Sequence, residues 1–214
     1  SGQDHETDCR SCEPGRYVET EGSDDASDCI ACAAGKYAAG SANTLESDCI
    51  SCIAGTYSTT VAANVDAFCI DCDRGKWLGT EGNDAASDCI DCVAGKYLIE
   101  SGMVTADDCI DCLAGTWLGA TGSMAMGACI GCGIGKYSAT VAAVVETYCI
   151  ECAAGKGLPI TASDEETDCI GCVVGRYLED TGSSDVSACI ECSAGKWSDG
   201  VGAGSESDCI ACAA

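Results

Sequence analysis

The sequence is poor in the residues that fill a large hydrophobic core. Its 214 residues include one Phe, three Trp and seven Tyr, and two prolines are too few for a polyproline or collagen-like fibre. Burial of apolar area is what offsets the entropy lost on folding, so a chain with few large side chains does not build one sizeable core. We therefore expect covalent staples to supply much of its stability.

Histidine and basic residues are also scarce. His5 is the only histidine, so a Ser-His-Asp arrangement could be built only near the first residues; we interpret His5 as a solvated side chain and expect no enzyme. Ten Lys and Arg stand against thirty-five Asp and Glu, for a formal charge of −25. This balance excludes nucleic acid as a partner and favours a soluble, self-repelling body.

Targeting and membrane segments are missing from the sequence as given. No segment approaches the roughly 20 apolar residues that a membrane helix requires. The chain opens at Ser1 without a basic or apolar leader, so we expect that a signal peptide was removed or lay outside this piece. No Asn-x-Ser/Thr sequon occurs, which excludes N-glycans here.

Cysteine is abundant, with 22 residues in 214. Such a content is typical of small disulfide scaffolds in an oxidising compartment, because cytosolic thiols stay reduced. We therefore expect a secreted protein at the cell surface or in the extracellular space.

The cysteines form eleven CxxC motifs at a constant spacing of 20 residues. We predict one continuous repeat array over residues 1–214, because inserts of constant length imply that each unit stacks on the next in one geometry. Both ends fall inside a repeat, so we expect a segment of a longer chain. The predicted units lie near residues 12–29, 32–49, 52–69, 72–89, 92–109, 112–129, 132–149, 152–169, 172–189 and 192–209.

Each insert carries a glycine three residues after its second Cys, and we predict a tight turn there because only glycine adopts positive φ freely. These glycines are Gly15, Gly35, Gly55, Gly75, Gly95, Gly115, Gly135, Gly155, Gly175 and Gly195. An aromatic follows two residues later in nine of ten inserts, with Gly157 as the exception: Tyr17, Tyr37, Tyr57, Trp77, Tyr97, Trp117, Tyr137, Tyr177 and Trp197.

These aromatics and the isoleucines that follow the first Cys, Ile30 to Ile210, are predicted to form a thin continuous core between neighbours. A small residue in mid-insert, Gly22 in the first and Ala42 in the second, predicts a second turn or a close backbone approach. The fold class is then small disulfide-rich β: a linear, solenoid-like array of 20-residue repeats with short hairpins and no large core.

Translational symmetry leaves three disulfide schemes: within each CxxC, from the second Cys to the next first Cys, or from the first Cys to the next second Cys. We choose the middle scheme, because it closes each insert into a loop that contributes about 3 kcal/mol by chain entropy. Cys9 and Cys212 are left without partners. The predicted pairs are Cys12–Cys29, Cys32–Cys49, Cys52–Cys69, Cys72–Cys89, Cys92–Cys109, Cys112–Cys129, Cys132–Cys149, Cys152–Cys169, Cys172–Cys189 and Cys192–Cys209.

Metal binding is the rival chemistry. The spacing suits a four-cysteine zinc site, but eleven equally spaced motifs cannot be grouped two by two, so zinc is the less favoured interpretation. Asp precedes the first Cys in seven of eleven motifs, as at Asp48 and Asp108. Weak calcium binding is one interpretation of these residues, and a solvated acidic stripe is the one we favour. Lys36, Lys76 and Lys96 are expected to pair with acids or to lie over a ring.

The unit from Cys89 to Cys109, CIDCVAGKYLIESGMVTADDC, resembles the ephrin-receptor-like cysteine-rich repeats of large secreted algal and protist proteins. It is also similar to the simplest module of tumour-necrosis-factor-receptor repeats. The resemblance covers the array and implies an elongated small-β ectodomain with the same cysteine pairing. The chain departs from many members in having Ala where they have Pro, at Ala34, Ala54 and Ala94.

Function is not decided by this resemblance, because such repeats serve receptors, surface coats and filaments alike. Regular repeats with variation spread over exposed positions favour a structural extracellular rod or filament component; the alternative is a ligand-binding receptor or adhesin ectodomain. The expected partners are other copies or further repeats of the same chain, and O-glycans on hydroxyls such as those of Ser58, Thr59 and Thr60.

Overall fold

The computed structural model of the protein describes residues 11–20 and 25–213. The contacts of these residues divide them into two compact units, one holding the described residues up to 92 together with 98–109 and the other holding 93–97 together with those from 110 onward. Both units are built from the same 20-residue repeat, each repeat holding one disulfide and one hairpin. The predicted fold class, short disulfide-stapled hairpins without a large core, is confirmed.

Every hairpin consists of two antiparallel strands of two residues each. The aromatic position of the first strand pairs with the isoleucine of the second, as Tyr37 does with Ile50. The paired strands are Arg16–Tyr17 with Ile30–Ala31, Lys36–Tyr37 with Ile50–Ser51, Thr56–Tyr57 with Ile70–Asp71, Lys76–Trp77 with Ile90–Asp91, Lys96–Tyr97 with Ile110–Asp111, Thr116–Trp117 with Ile130–Gly131, Lys136–Tyr137 with Ile150–Glu151, Lys156–Gly157 with Ile170–Gly171, Arg176–Tyr177 with Ile190–Glu191, and Lys196–Trp197 with Ile210–Ala211.

A tight turn precedes the first strand of each hairpin. In the repeat that starts at Cys112, Gly115 has φ of 81°. The backbone N–H of Thr116 closes the turn on the carbonyl of Leu113 at 3.1 Å, and the N–H of Cys132 reaches back to the Gly115 carbonyl at 2.8 Å. Glycine is needed here because an L-residue with a side chain is strained at this φ.

One turn of 3₁₀ helix ends each described insert, directly before the first Cys. A single turn of this kind fits between the disulfide and the preceding bend without the length that an α-helix needs. These turns are Ala26–Asp28, Glu46–Asp48, Asp66–Phe68, Ala86–Asp88, Ala106–Asp108, Met126–Ala128, Glu146–Tyr148, Glu166–Asp168, Val186–Ala188 and Glu206–Asp208.

The mid-insert position of small residues is a second place of positive φ. Ala62 has φ of 57° and Gly82 has φ of 71°. The backbone N–H of the residue at this position donates to the carbonyl of a cysteine 30 residues earlier; Ala142 donates to Cys112 in this way at 2.9 Å. The predicted second turn therefore also joins neighbouring repeats; Gly22 lies outside the described residues.

Consecutive repeats share two more backbone hydrogen bonds. Gly115 donates to the carbonyl of Ser138 at 2.7 Å, and Leu118 donates to the carbonyl of Ala143 at 2.9 Å. Beside them, Trp117 and Ala143 form a parallel β-bridge. The same bonds recur at equivalent positions in both units, so the junction between repeats is as regular as the repeats themselves.

The buried apolar groups form small separate clusters instead of a continuous core. In one of them Cys152, Leu158 and Cys169 pack together, with Tyr137 of the preceding repeat against them. The residue after the aromatic is buried in this way in repeat after repeat, although the sequence did not single it out. It is leucine in five of ten inserts, with 1–4% of each residue exposed: Leu78, Leu98, Leu118, Leu158 and Leu178.

The isoleucines do not join this core, and the prediction that they would is wrong. They are 42–54% exposed throughout the described residues, from Ile30 to Ile210. The reason is strand alternation: Cys49 points into the structure with 6% exposed, so the next residue, Ile50, points outward with 52% exposed.

Candidate functional site

The junction between repeats is the candidate functional site, and the disulfides are its covalent part. The ten described bonds join the pairs of the second scheme, from Cys12–Cys29 to Cys192–Cys209, with Cα–Cα distances of 5.5–5.9 Å. Cys212 is unpaired and exposed, whereas Cys9 lies outside the described residues. Because the sulfurs of these pairs are bonded to each other, they are not available as zinc thiolates in this state.

The disulfides are shielded from solvent. The second Cys of each motif from Cys12 to Cys172 is 0–2% exposed, and several first cysteines, such as Cys109, are 5–7% exposed. Reduction requires access of a thiolate to a sulfur atom, so burial protects these bonds. The described residues contain no group of three or more His, Cys, Asp or Glu side chains arranged to hold a metal ion.

The turn glycines form the closest contact of the junction. A Cβ added to Gly115 would lie 2.2 Å from the carbonyl oxygen of Ala162, two repeats further along. The other turn glycines from Gly15 to Gly155 meet the equivalent carbonyl at 2.0–2.3 Å wherever that contact is described. Glycine is thus required twice, once by its φ and once by the neighbouring backbone. Gly175 and Gly195 have similar positive φ angles of 79° and 85°, but a Cβ there would meet nothing within 4 Å.

The aromatic side chains lie across the junction. Tyr57 packs on the cluster of Cys72, Leu78 and Cys89, and Trp77 packs on the equivalent cluster of the following repeat. Tyr17 is the most buried of them, and burial raises its pKa above the usual value, with Glu46 and Glu19 adding to the effect.

Two positions depart from the predicted aromatic packing. Trp197 is 47% exposed and lines an open groove with Val174, Gly175, Ser198 and Asp199, because no later repeat covers it in the described residues. At Gly157, which stands in place of an aromatic, backbone fills the space instead. A Cβ on Gly157 would lie 2.8 Å from the carbonyl carbon of Asp185.

The Asp before the first Cys closes the 3₁₀ turn, a role that was not among the predictions from the sequence. The Asp48 carboxylate accepts hydrogen bonds from the backbone N–H groups of Thr44 and Leu45 at 2.8 and 3.0 Å. Asp88, Asp108 and Asp208 accept equivalent bonds. The spacing of Asp three and four residues after these N–H groups was the available signal, because short acidic side chains commonly cap such turns.

In one repeat that lacks this Asp, the N-cap residue of the turn accepts a hydrogen bond, as Asp25 also does in a repeat that keeps Asp28. Ala188 stands at this position in its repeat, and Asp185 accepts a hydrogen bond from the N–H of Ser187 at 2.9 Å. That bond, together with the Ser187 hydroxyl, holds the pKa of Asp185 below its usual value.

Six ion pairs decorate the hairpins of the described residues. Lys76 pairs with Asp91 and Lys96 with Asp111, each at 2.9 Å and each across a hairpin. Lys36 pairs instead with Glu46 at 3.4 Å. The predicted pairing of these lysines with acids is therefore present. Pairs this exposed contribute about 0–1 kcal/mol each, so they orient side chains more than they stabilise the repeat.

An ion pair of this kind also lowers the pKa of its acidic partner. Hydrogen bonds from the Ser193 hydroxyl and from Lys196 lower the pKa of Glu206, in that order of size.

The hydroxyl groups divide into buried and exposed ones. Ser58, which was predicted to be exposed, is 0% exposed, and its hydroxyl oxygen accepts from the N–H of Thr60 at 3.3 Å. Thr59 is exposed. An O-glycan on this segment would therefore have to use a threonine.

Comparison with known proteins supports the repeat type. A family model described as "Tyrosine-protein kinase ephrin type A/B receptor-like" matches residues 160–209. This range holds two complete disulfide loops and about a quarter of the chain, and it confirms the resemblance drawn from the sequence. No curated protein matches the chain. Among the described residues no helix has the length and apolar character to cross a membrane.

Proposed function

We propose that the chain is a structural component of an extracellular rod or filament built from disulfide-stapled repeats. The observation that supports this most directly is the regularity of the junction. The three backbone hydrogen bonds of the Cys112 repeat recur from repeat to repeat, and so does the close approach at the turn glycine. Contacts that each repeat makes in the same way suit a protein whose role is to extend a structure.

An extracellular setting fits the same repeat. Cysteine-rich repeats of the receptor-like type, stapled by disulfides, are consistent with an extracellular structural or ligand-binding role. Secretion is part of the proposal, as is a non-catalytic role. The proposed partners are further copies or repeats of the same chain, weakly bound calcium, and O-glycans on exposed threonines such as Thr59.

Electron microscopy of native material tests the structural role. We expect thin uniform fibres, because each repeat offers the next the same contacts. Compact particles that bind one soluble ligand would contradict the proposal. An intact mass of denatured but unreduced protein is the companion measurement: each disulfide lowers the mass by two hydrogens, and a ladder of hexose-sized steps would reveal O-glycans.

A ligand-binding ectodomain is the second candidate, and the receptor-like description of the matching family favours it. A receptor concentrates its binding energy in a few residues of one or two repeats. Pull-down with the oxidised chain, using the reduced and alkylated chain as control, separates the two candidates. A stoichiometric soluble ligand supports the receptor, whereas fibres without one support the structural role.

A further inference from the structure

One stretch of this acidic chain carries no acidic residue. Residues 112–145 contain a single charged side chain, Lys136, although the whole chain averages about one Asp or Glu in every six residues. The stretch belongs to one compact unit and covers nearly two consecutive repeats. These repeats are joined directly by the bonds from Leu118 to Ala143 and from Ala142 to Cys112.

Large apolar side chains are exposed within this stretch and directly after it. Met124 and Met126 are 52% and 62% exposed at the 3₁₀ turn Met126–Ala128, and Val145 and Tyr148 are 46% and 41% exposed at the next turn, Glu146–Tyr148. We call these four residues the apolar patch. The two turns occupy equivalent places in adjacent repeats of this unit, and these repeats are joined by the backbone hydrogen bonds named above.

The apolar patch is not explained by the needs of the fold. Tyr148 stands where Asp208 caps its turn by accepting from the N–H groups of Gly204 and Ser205. A side chain of this kind is worth about 1 kcal/mol as a cap, and tyrosine at this position cannot accept in the same way. This turn therefore lacks the Asp cap, and Tyr148 is 41% exposed. Local rules are broken in this way at functional surfaces.

We infer that the apolar patch is a self-association surface that binds the same patch on a second copy of this chain. Charge favours this partner. Elsewhere two copies present carboxylates to each other and repel, whereas residues 112–148, which include both turns, hold one Lys and one Glu and carry no net charge. Methionine adds to the fit because its flexible side chain repacks against a twofold-related partner.

The size of the patch sets the strength of the contact. Four side chains at about half exposure offer several hundred Å² per copy, which is the range of weak, transient interfaces. We expect a Kd on the order of 10–100 µM for isolated chains. In an assembly of many chains, each contact raises the effective concentration of the next, so the overall binding is much tighter than that of one patch.

The test is sedimentation velocity of the oxidised 214-residue chain from about 1 to 500 µM, around the Kd expected for so small an interface. The variants are Met124→Asp, Met126→Glu and Tyr148→Asp, singly and together, which copy the equivalent Asp164, Glu166 and Asp168 of the repeat at residues 152–169. We expect the triple variant to weaken dimerisation by about tenfold or more, because like charges then meet across the interface. Higher salt should strengthen the wild-type dimer by screening the remaining repulsion.

The matched control is Leu45→Asp, which charges another exposed residue, 56% exposed, beside Glu46 and outside the patch. It should leave dimerisation unchanged. Tyr148→Asp provides a second control, because the added cap should slow amide exchange at Val144 and Val145 while dimerisation weakens. A chain that stays monomeric over the whole range overturns the inference, as does a dimer that resists the triple variant or responds equally to Leu45→Asp. Fibre formation in the microscope is a separate readout, so either result can fail alone.

Discussion

Gly115 and Gly195 occupy the same turn in two different surroundings. Their φ angles are 81° and 85°. A Cβ on Gly115 would collide with the carbonyl of Ala162, whereas a Cβ on Gly195 would meet nothing within 4 Å. Comparing these two glycines separates two requirements for glycine that act together in the earlier repeats. One reason is local backbone conformation, and the other is contact with a repeat two places along.

The most disruptive change is expected at the interior glycine. Gly115→Ala should cost about 3–5 kcal/mol, since strain at positive φ adds to a clash with backbone. Gly195→Ala should cost about 1–2 kcal/mol, since only the strain remains. Hydrogen exchange followed by mass spectrometry, peptide by peptide, measures both. Equal losses in the two variants would mean that the contact with Ala162 adds nothing.

Removing one disulfide should come next in size. The double variant Cys112→Ala with Cys129→Ala loses about 3 kcal/mol by the chain-entropy argument, as does Cys192→Ala with Cys209→Ala. The interior pair should spread its effect to the following repeat, because the Cys112 carbonyl accepts the N–H of Ala142. Exchange maps of the two double variants provide the comparison. If the interior double variant lost protection from hydrogen exchange only within residues 112–131, this coupling would be contradicted.

A stabilising substitution is expected at Ala162, the residue whose carbonyl faces Gly115. Ala162 has φ of 59°, and glycine occupies the equivalent place in five other described repeats. Ala162→Gly should gain up to about 1 kcal/mol, because relief of strain exceeds the entropy that glycine adds to the unfolded chain. Ala143→Gly is the control, since Ala143 is buried without positive φ and should lose stability instead. Denaturant midpoints of the two variants should move in opposite directions.

The smallest effect is a pH dependence confined to one turn. Hydrogen bonds from Ser187 lower the pKa of Asp185 in the folded chain, so the cap stabilises the turn above the pKa of the unfolded chain, near 4. That contribution is lost as the pH falls through the lower folded value. The Ser187 amide signal in NMR should follow this titration, and in Asp185→Asn it should not. A titration that persists in Asp185→Asn would assign it to another group.

Cysteine spacing made the hairpin and the repeat predictable, because a constant insert length allows only one geometry per unit. The burial of Leu118 was harder to foresee, since serine replaces leucine at the same position in Ser58, Ser138 and Ser198. The exposure of the isoleucines depends on which strand face meets the cysteines, and their recurrence alone indicated burial. Contact between Gly115 and Ala162 spans 47 residues and leaves no local pattern.

The capping role of Asp48 had a sequence signal that competed with others. An acidic residue before each cysteine is equally typical of a solvated surface or a calcium ligand, and only the backbone N–H groups of Thr44 and Leu45 decide between these roles. The apolar patch had a clearer signal in the scarcity of charge over residues 112–148, which hold only Lys136 and Glu146. Its meaning depended on knowing that Met126 and Tyr148 are exposed.

The disulfides also set how far the chain can be stretched. Under tension the shortest covalent path runs through each sulfur–sulfur bond and then through the step from Cys29 to Cys32, bypassing the insert. With a Cα–Cα distance of 5.7 Å across the Cys12–Cys29 bond and about 10 Å for the three-residue step, an oxidised repeat lengthens to about 16 Å. A reduced repeat would reach about 70 Å. A pulled strand of this material therefore stops lengthening at about 16 Å per repeat until a reductant reaches its buried sulfurs.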